Sequence, residues 1–223
     1  MLVTMQQPEL KSSRSAAEVL GDLHPLLEQL GSAEALMSLP QAAGLLRVAE
    51  VNNLESLTVF LDAYKTRLLL AWELPSIQKA YGHAYGSETR ELIELDNEIG
   101  KMKVPRDFAH ASQRIGRWQL RRLRPLRSER VAQRYLQAVE EARARGWHTL
   151  VYGLTLALYS IPVRQGLLNY SRQTLGGFVR SAAGSLRLPE TVCREVVDAF
   201  CEDIPHHLEA LLNGPRSGGL RSV

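Results

Sequence analysis

Apolar residues recur at intervals of three and four along most of this chain, and nowhere do apolar and polar residues alternate over a Val-, Ile- and aromatic-rich run as a half-buried strand requires. The periodicity predicts helices over about residues 14–30, 33–50, 54–71, 74–85, 87–100, 105–124, 128–145, 147–160, 163–187, 190–203 and 205–213. The expected fold class is all-α: a single multi-helix bundle-like domain of about ten helices over residues 13–213. Residues 1–12 are polar, and "NGPRSGGLRSV" at the other end is Gly-rich and basic. A flexible N-terminus 1–12 and a flexible basic tail 214–223 are therefore expected to flank the domain.

Several boundaries carry a physical signal. Ser32 and Asn53 can cap helix starts, Pro75 and Pro105 lie where a first turn tolerates a missing N–H, and Gly146 and Gly214 read as stops. Pro125 should end the helix before it, because its ring clashes with a continuing helix. The most apolar stretch, Trp147 to Pro162, falls short of the roughly 20 residues that span a bilayer. It also contains Thr149, Thr155 and Ser160, and reads as a buried core helix.

Composition narrows the picture only a little. With 45% apolar and 23% charged residues over 223 positions, the chain has the make-up of an ordinary globular protein with a sizeable core. A formal charge of +3 is mild for a dedicated nucleic-acid binder. The two cysteines, Cys193 and Cys201, are eight apart in one expected helix, too far for an intramolecular disulfide. Together with a start that lacks a signal-peptide core, they point to a reducing, cytoplasmic setting.

The densest charge lies in "RDFAHASQRIGRWQLRRLRPLRSER", residues 106–130. On a helical wheel Phe108, Ser112, Ile115, Gly116, Gln119 and Leu123 share one face, and His110, Arg114, Arg117, Arg121 and Arg124 share the opposite one. Ser112 and Gly116 leave a shallow spot where another helix can approach closely. The arginine face admits three readings. It can be a solvated face neutralised by Glu140 and Glu141. It can be a nucleic-acid grip, which calls for stacking aromatics where only Trp118 is at hand. Or it can be a protein-docking face, for which arginine is well suited.

Other chemistry is sparse. Histidines 24, 83, 110, 148, 206 and 207 show neither an i, i+4 pair nor His-Glu-x-x-His, and His206-His207 beside Asp203 and Cys201 reads as a polar helix start. Cys193 is in step with Val196, Val197 and Phe200 on an apolar stripe. Glu91, Glu94 and Asp96 read as the wet face of an amphipathic helix. Gly166, Gly176, Gly177 and Gly184 form no phosphate-binding loop, and within a helix they suggest close packing. A pocket around His148, Tyr152 and Cys193 is conceivable, but no acid/base set converges on it. No catalytic residue, metal ligand or cofactor is expected.

Three stretches, in order and at their spacing, carry a family likeness: "LESLTVFLDAYKTRLLLAWELPSIQKAY" (54–81), "ELIELDNEIGKMKVPRDFAHASQRIGRWQLRRL" (91–123) and "GWHTLVYGLTLALYSIPVRQGLLNYSRQTLGGFVRSAAGSLRL" (146–188). Over about residues 44–200 the chain resembles the urease accessory protein family UreF. The most specific piece is Leu95-Asp96 followed by Arg106-x5-Ser112-x3-Gly116-Arg117. Gly166-Leu167-Leu168 through Arg187 matches the family's long core helix pair. Of the family's usual opening, residues 24–48 keep only Gly44-Leu45, and "SAAGSLRLPE" stands where Pro-Leu-Gly-Gln is usual.

The resemblance implies a non-enzymatic, all-helical homodimer. Such a protein would bridge a UreD/UreH-type accessory protein and a UreG-type GTPase on the urease apoenzyme while nickel is inserted. It further implies partner-binding roles for Arg114, Arg117, Arg121, Arg124 and Arg187, and helix-packing roles for Ser112, Gly116, Gly176 and Gly177. The tail 214–223 would become ordered on the UreD-type partner, and no membrane is involved. The alternative kept beside it is a helical nucleic-acid-binding module using the arginine-rich helix 105–130.

Overall fold

The computed structural model describes residues 36–102, 105–126 and 128–213. The expected helix 14–30, the Ser32 cap, the two flexible ends and the Gly214 stop lie outside them. Among the described residues all regular structure is helical, as the periodicity predicts. The elements are α1 (Leu39–Leu46), α2 (Leu54–Tyr64), a π-helical segment Lys65–Glu73, α3 (Leu74–Tyr85), α4 (Thr89–Lys101) and α5 (Arg106–Arg122). They continue with α6 (Arg130–Glu140), α7 (His148–Leu158), α8 (Val163–Leu186), α9 (Glu190–Cys201) and α10 (Ile204–Asn213). No helix among the described residues is long and apolar enough to cross a membrane.

Residues 54–85 form one uninterrupted rod and not the two helices that a break near Pro75 would give. Asn53 starts it, accepting the Ser56 N–H at 2.8 Å. Lys65 and Leu74, at the two junctions, keep right-handed helical backbone angles. The π segment explains how Pro75 is tolerated: a wider turn directly before the ring relieves the clash that proline would impose on a regular α-helix. Counted as unbroken rods, the described helices are slightly fewer than the ten or so expected.

Helix ends differ from expectation in kind. Glycine is the expected stop, yet Arg47, Ser87, Ala142, Ser160 and Arg187 all carry φ between 51° and 59° at or just past a helix end. At α6 the Arg143 N–H reaches the Ala138 carbonyl at 2.8 Å and the Ala142 N–H reaches the Val139 carbonyl at 3.2 Å, so the helix closes in a Schellman motif on an alanine. The helix expected over 128–145 therefore ends at Glu140, and Gly146 lies in the following loop with φ 76°.

The centre of the molecule is α7, buried at every position from His148 to Leu156. Gly153 makes its packing against α3 possible, because a Cβ there would stand 2.5 Å from the Ile77 carbonyl oxygen and 2.9 Å from the Ala80 Cβ. Helices α5 and α8 cover other sides of α7. An aromatic layer sits beside it: Trp72 meets Phe108 edge-on at 5.3 Å and Trp147 at 6.1 Å. Helices α9 and α10 lie on α8. Helix α9 has no fully buried residue, and Ile204 and Leu208 anchor α10.

Candidate functional site

Helix α5 turns Phe108, Ser112, Gly116, Gln119 and Leu120 inward and leaves Arg114, Arg117, Arg121 and Arg122 exposed. The two faces of the wheel are thus real, although Ile115 is only half-buried. What lies under the inward face is the backbone of residues 146–148. A Cβ at Gly116 would stand 2.1 Å from the Gly146 carbonyl oxygen and 2.7 Å from the His148 nitrogen. Ser112 Oγ lies 2.7 Å from His148 Nδ1. Arg117 Nε donates to the Arg145 carbonyl at 2.9 Å.

A second grip on the same loop comes from α4. Asp96 is wholly buried, which corrects its assignment to a wet face; its spacing from Leu92 and Ile99 places it on the apolar stripe, a signal the sequence does contain. Its carboxylate accepts the Arg145 N–H at 2.6 Å, the Gly146 N–H at 2.9 Å and the Tyr135 hydroxyl at 2.6 Å. Its carbonyl accepts the Trp147 indole N–H at 3.2 Å. Three donors aimed at one carboxylate satisfy a charge that would otherwise be costly to bury. Burial, and next the Asp96 charge, raise the Tyr135 phenol well above its usual range.

Asp96, Ser112, Gly116 and Arg117, the most specific residues of the likeness, thus all act on one segment, residues 145–148. Arg145 at its start, with Ala142 and Ala144 just before it, forms one wall of a groove between α5 and α6. Two adjoining depressions of about 570 and 590 Å³ share Leu136 and Glu140. Arg117, Arg121, Arg124, Arg134 and Arg145 line them, with Glu140 the one carboxylate among the lining residues. Arg124 pairs with Glu140, while Glu141 pairs with Arg143. Among the described residues Arg121 and Arg134 form no ion pair. The neutralisation of the arginine face is therefore partial. Trp118, 46% exposed, is not among the residues that line the groove, and the Arg122 guanidinium stands 4.8 Å from its ring.

Of the other expected site residues, Arg114 is exposed on α5 one turn before the groove, and Arg187 is exposed at the end of α8, apart from the groove's lining. Gly176 and Gly177 are buried in α8. A Cβ at Gly176 would meet only Arg180 Nη1 at 3.3 Å and Val197 Cγ2 at 3.8 Å. Arg134 and Arg145 join the groove without having been expected there, since nothing in their local sequence pattern marks them.

Beneath the groove runs a buried polar chain that spacing in the sequence does not assemble. From Ser112 it passes through His148, whose Nε2 lies 2.8 Å from the Tyr170 hydroxyl and 4.0 Å from Glu73 Oε1. The Tyr64 hydroxyl donates to Glu73 at 2.9 Å. Burial pushes the Glu73 carboxyl up to about 7 and the His148 imidazole down to about 3. The Tyr152 hydroxyl is satisfied separately by the Gly166 carbonyl at 3.1 Å. Cys193 lies on half-buried α9 and does not join these groups. His207 faces Asp203 at 3.3 Å, and among the described residues no cluster of three metal-ligating side chains forms.

Fold and site together define an all-helical protein that holds one loop rigidly and displays arginines beside it. A model of the UreF family matches residues 51–189, more than half of the chain and including all three stretches that carry the likeness. The chain belongs to the UreF family, a family of urease accessory proteins. No curated protein matches it.

Proposed function

We propose that this chain is a non-enzymatic scaffold, a chaperone of urease metallocentre assembly. It would bridge a UreD/UreH-type accessory protein and a UreG-type GTPase so that nickel, the cargo, reaches the urease apoenzyme. The observation that carries the reading is the family match over residues 51–189. The geometry supports it. The Asp96 carboxylate is engaged with backbone and the Ser112 hydroxyl with the His148 imidazole, while the arginines of the groove face outward, an arrangement suited to binding other proteins. In this reading Arg114, Arg117, Arg121, Arg124 and Arg187 meet partners, the scaffold acts as a homodimer, and residues 214–223 engage the UreD-type protein.

The test is size-exclusion chromatography with light scattering on the full chain, alone and mixed with the UreD-type and UreG-type proteins of the same organism. A dimer that shifts to a stable larger complex supports the scaffold. A chain that elutes unchanged beside both partners removes the bridging role and leaves the fold and family membership standing.

A further inference from the structure

We propose that the groove between α5 and α6 is the docking site for an acidic segment of a protein partner that carries an apolar side chain between its carboxylates. This deepens the scaffold reading, on which it rests, by giving one surface and one chemistry to a contact the family likeness leaves general. Charge argues for the acid: five arginines line the groove against one glutamate, and that glutamate is held by Arg124. Unpaired Arg121 and Arg134 remain as donors for incoming carboxylates, which guanidinium groups grip with two parallel hydrogen bonds.

The floor argues for the apolar residue. Half-buried Val139 and exposed Ala142, over the buried Leu136 and Ala144, supply non-polar surface beside the arginines, which a phosphodiester backbone has no use for and which a leucine or valine side chain can cover. Nucleic acid is further disfavoured by the fixed Glu140 in the middle of the groove and by the lack of an aromatic side chain among its lining residues. The groove is also preorganised. Its loop wall is tied by Asp96 to two backbone N–H groups, by Arg117 to the Arg145 carbonyl, and by Asn97 Nδ2 to the Arg143 carbonyl at 3.1 Å. A rigid wall lowers the entropic cost of docking.

Fluorescence anisotropy with a labelled synthetic peptide in which glutamates flank paired leucines tests the assignment on the full chain. The peptide should bind, weakening with added salt, and should lose about tenfold or more in affinity in the Arg121→Glu, Arg134→Glu double variant. Both side chains are exposed, so the circular dichroism of that variant should match the wild type. Arg180→Glu, at an exposed position outside the groove's lining, should bind as the wild type does, and a peptide with lysine in place of glutamate should not bind. Equal binding of the two peptides, equal loss in Arg180→Glu, or displacement of the peptide by a mixed-sequence single-stranded RNA would each overturn the proposal. Co-elution of the same proteins with the UreD-type and UreG-type partners separates the two readings. Partners that assemble on a chain whose groove ignores the acidic peptide remove the groove and keep the scaffold. Specific acidic-peptide binding by a chain that assembles with neither partner keeps the groove and removes the scaffold.

Discussion

The carbonyl oxygen of Gly146 lies 2.1 Å from the point where a Cβ on Gly116 would stand. That is far inside van der Waals contact, and the obstacle is backbone that the Asp96 carboxylate already holds. Gly116→Ala must therefore push α5 off the 146–148 segment, at a cost of roughly 3 kcal/mol or more. For a chain of this length that lowers the melting temperature by about 10 °C in a thermal scan. Gly44→Ala is the counter-case: it is exposed in α1 with nothing within 4 Å of the new methyl, and should stabilise by about 0.5–1 kcal/mol through the unfolded chain. Equal effects of the two substitutions would refute the packing argument.

Asp96 and Tyr135 form a coupled pair. Asp96→Asn keeps the shape but leaves one acceptor where three donors converge, and turns an amide N–H toward a backbone N–H. The expected loss, read as a shift in urea midpoint, is about 2–4 kcal/mol. Tyr135→Phe removes one donor and leaves the two backbone N–H bonds in place, so about 1–2 kcal/mol is expected. When Asp96→Asn is already present, Tyr135→Phe should cost less than it does in the wild type, because the bond it breaks is already compromised. Additive losses would show that the two residues act independently.

These two sites also show where the sequence can be read and where it cannot. The two-sided nature of α5, the close approach at Ser112 and Gly116, and the buried helix after Trp147 follow from spacing alone, because helical period and residue size are local properties. The groove does not follow. Arg134 and Arg145 join Arg117 and Arg121 only through the packing of α6 and the 141–146 loop against α5. Asp96 misleads because a carboxylate in a helix with Glu91 and Glu94 looks solvated until its three donors, from residues 135, 145 and 146, are brought to it. Glu73 stands inside the apolar run "LLLAWELP", a visible oddity, but its partner Tyr64 and its neighbour His148 are brought to it by the π turn and by α7.

Ala142 is held at φ 58°, a conformation that a side-chain-bearing residue adopts at a cost of about 1 kcal/mol and that glycine adopts freely. The Schellman bonds of residues 142 and 143 use only backbone atoms, so they survive substitution. Ala142→Gly should raise stability by about 0.5–1 kcal/mol despite the added freedom of glycine in the unfolded chain. Glycine at the exposed, right-handed helical position Arg134 should instead lower it by about the same amount. Chemical denaturation of the two variants decides: destabilisation by Ala142→Gly would mean that the left-handed turn carries no strain.

Glu73 and His148 should pull the pH dependence of stability in opposite directions. The folded state raises Glu73 from 4.5 to about 7 and so binds its proton more tightly than the unfolded chain does. Its stabilising share is complete below pH 4.5 and is lost as pH rises through 7. His148 falls from 6.5 to about 3 in the folded state, so its share is complete above pH 6.5 and is lost as pH falls toward 3. Between about pH 4.5 and 6.5 one slope offsets the other, which hides both in the wild type. Glu73→Gln removes one of them, keeping an uncharged acceptor for the Tyr64 hydroxyl. The stability of the variant relative to the wild type should therefore improve steadily from about pH 4.5 to 7.5, by on the order of 3 kcal/mol, in urea titrations across that range. A difference that stays constant with pH would mean that Glu73 titrates as an ordinary exposed carboxylate despite its burial.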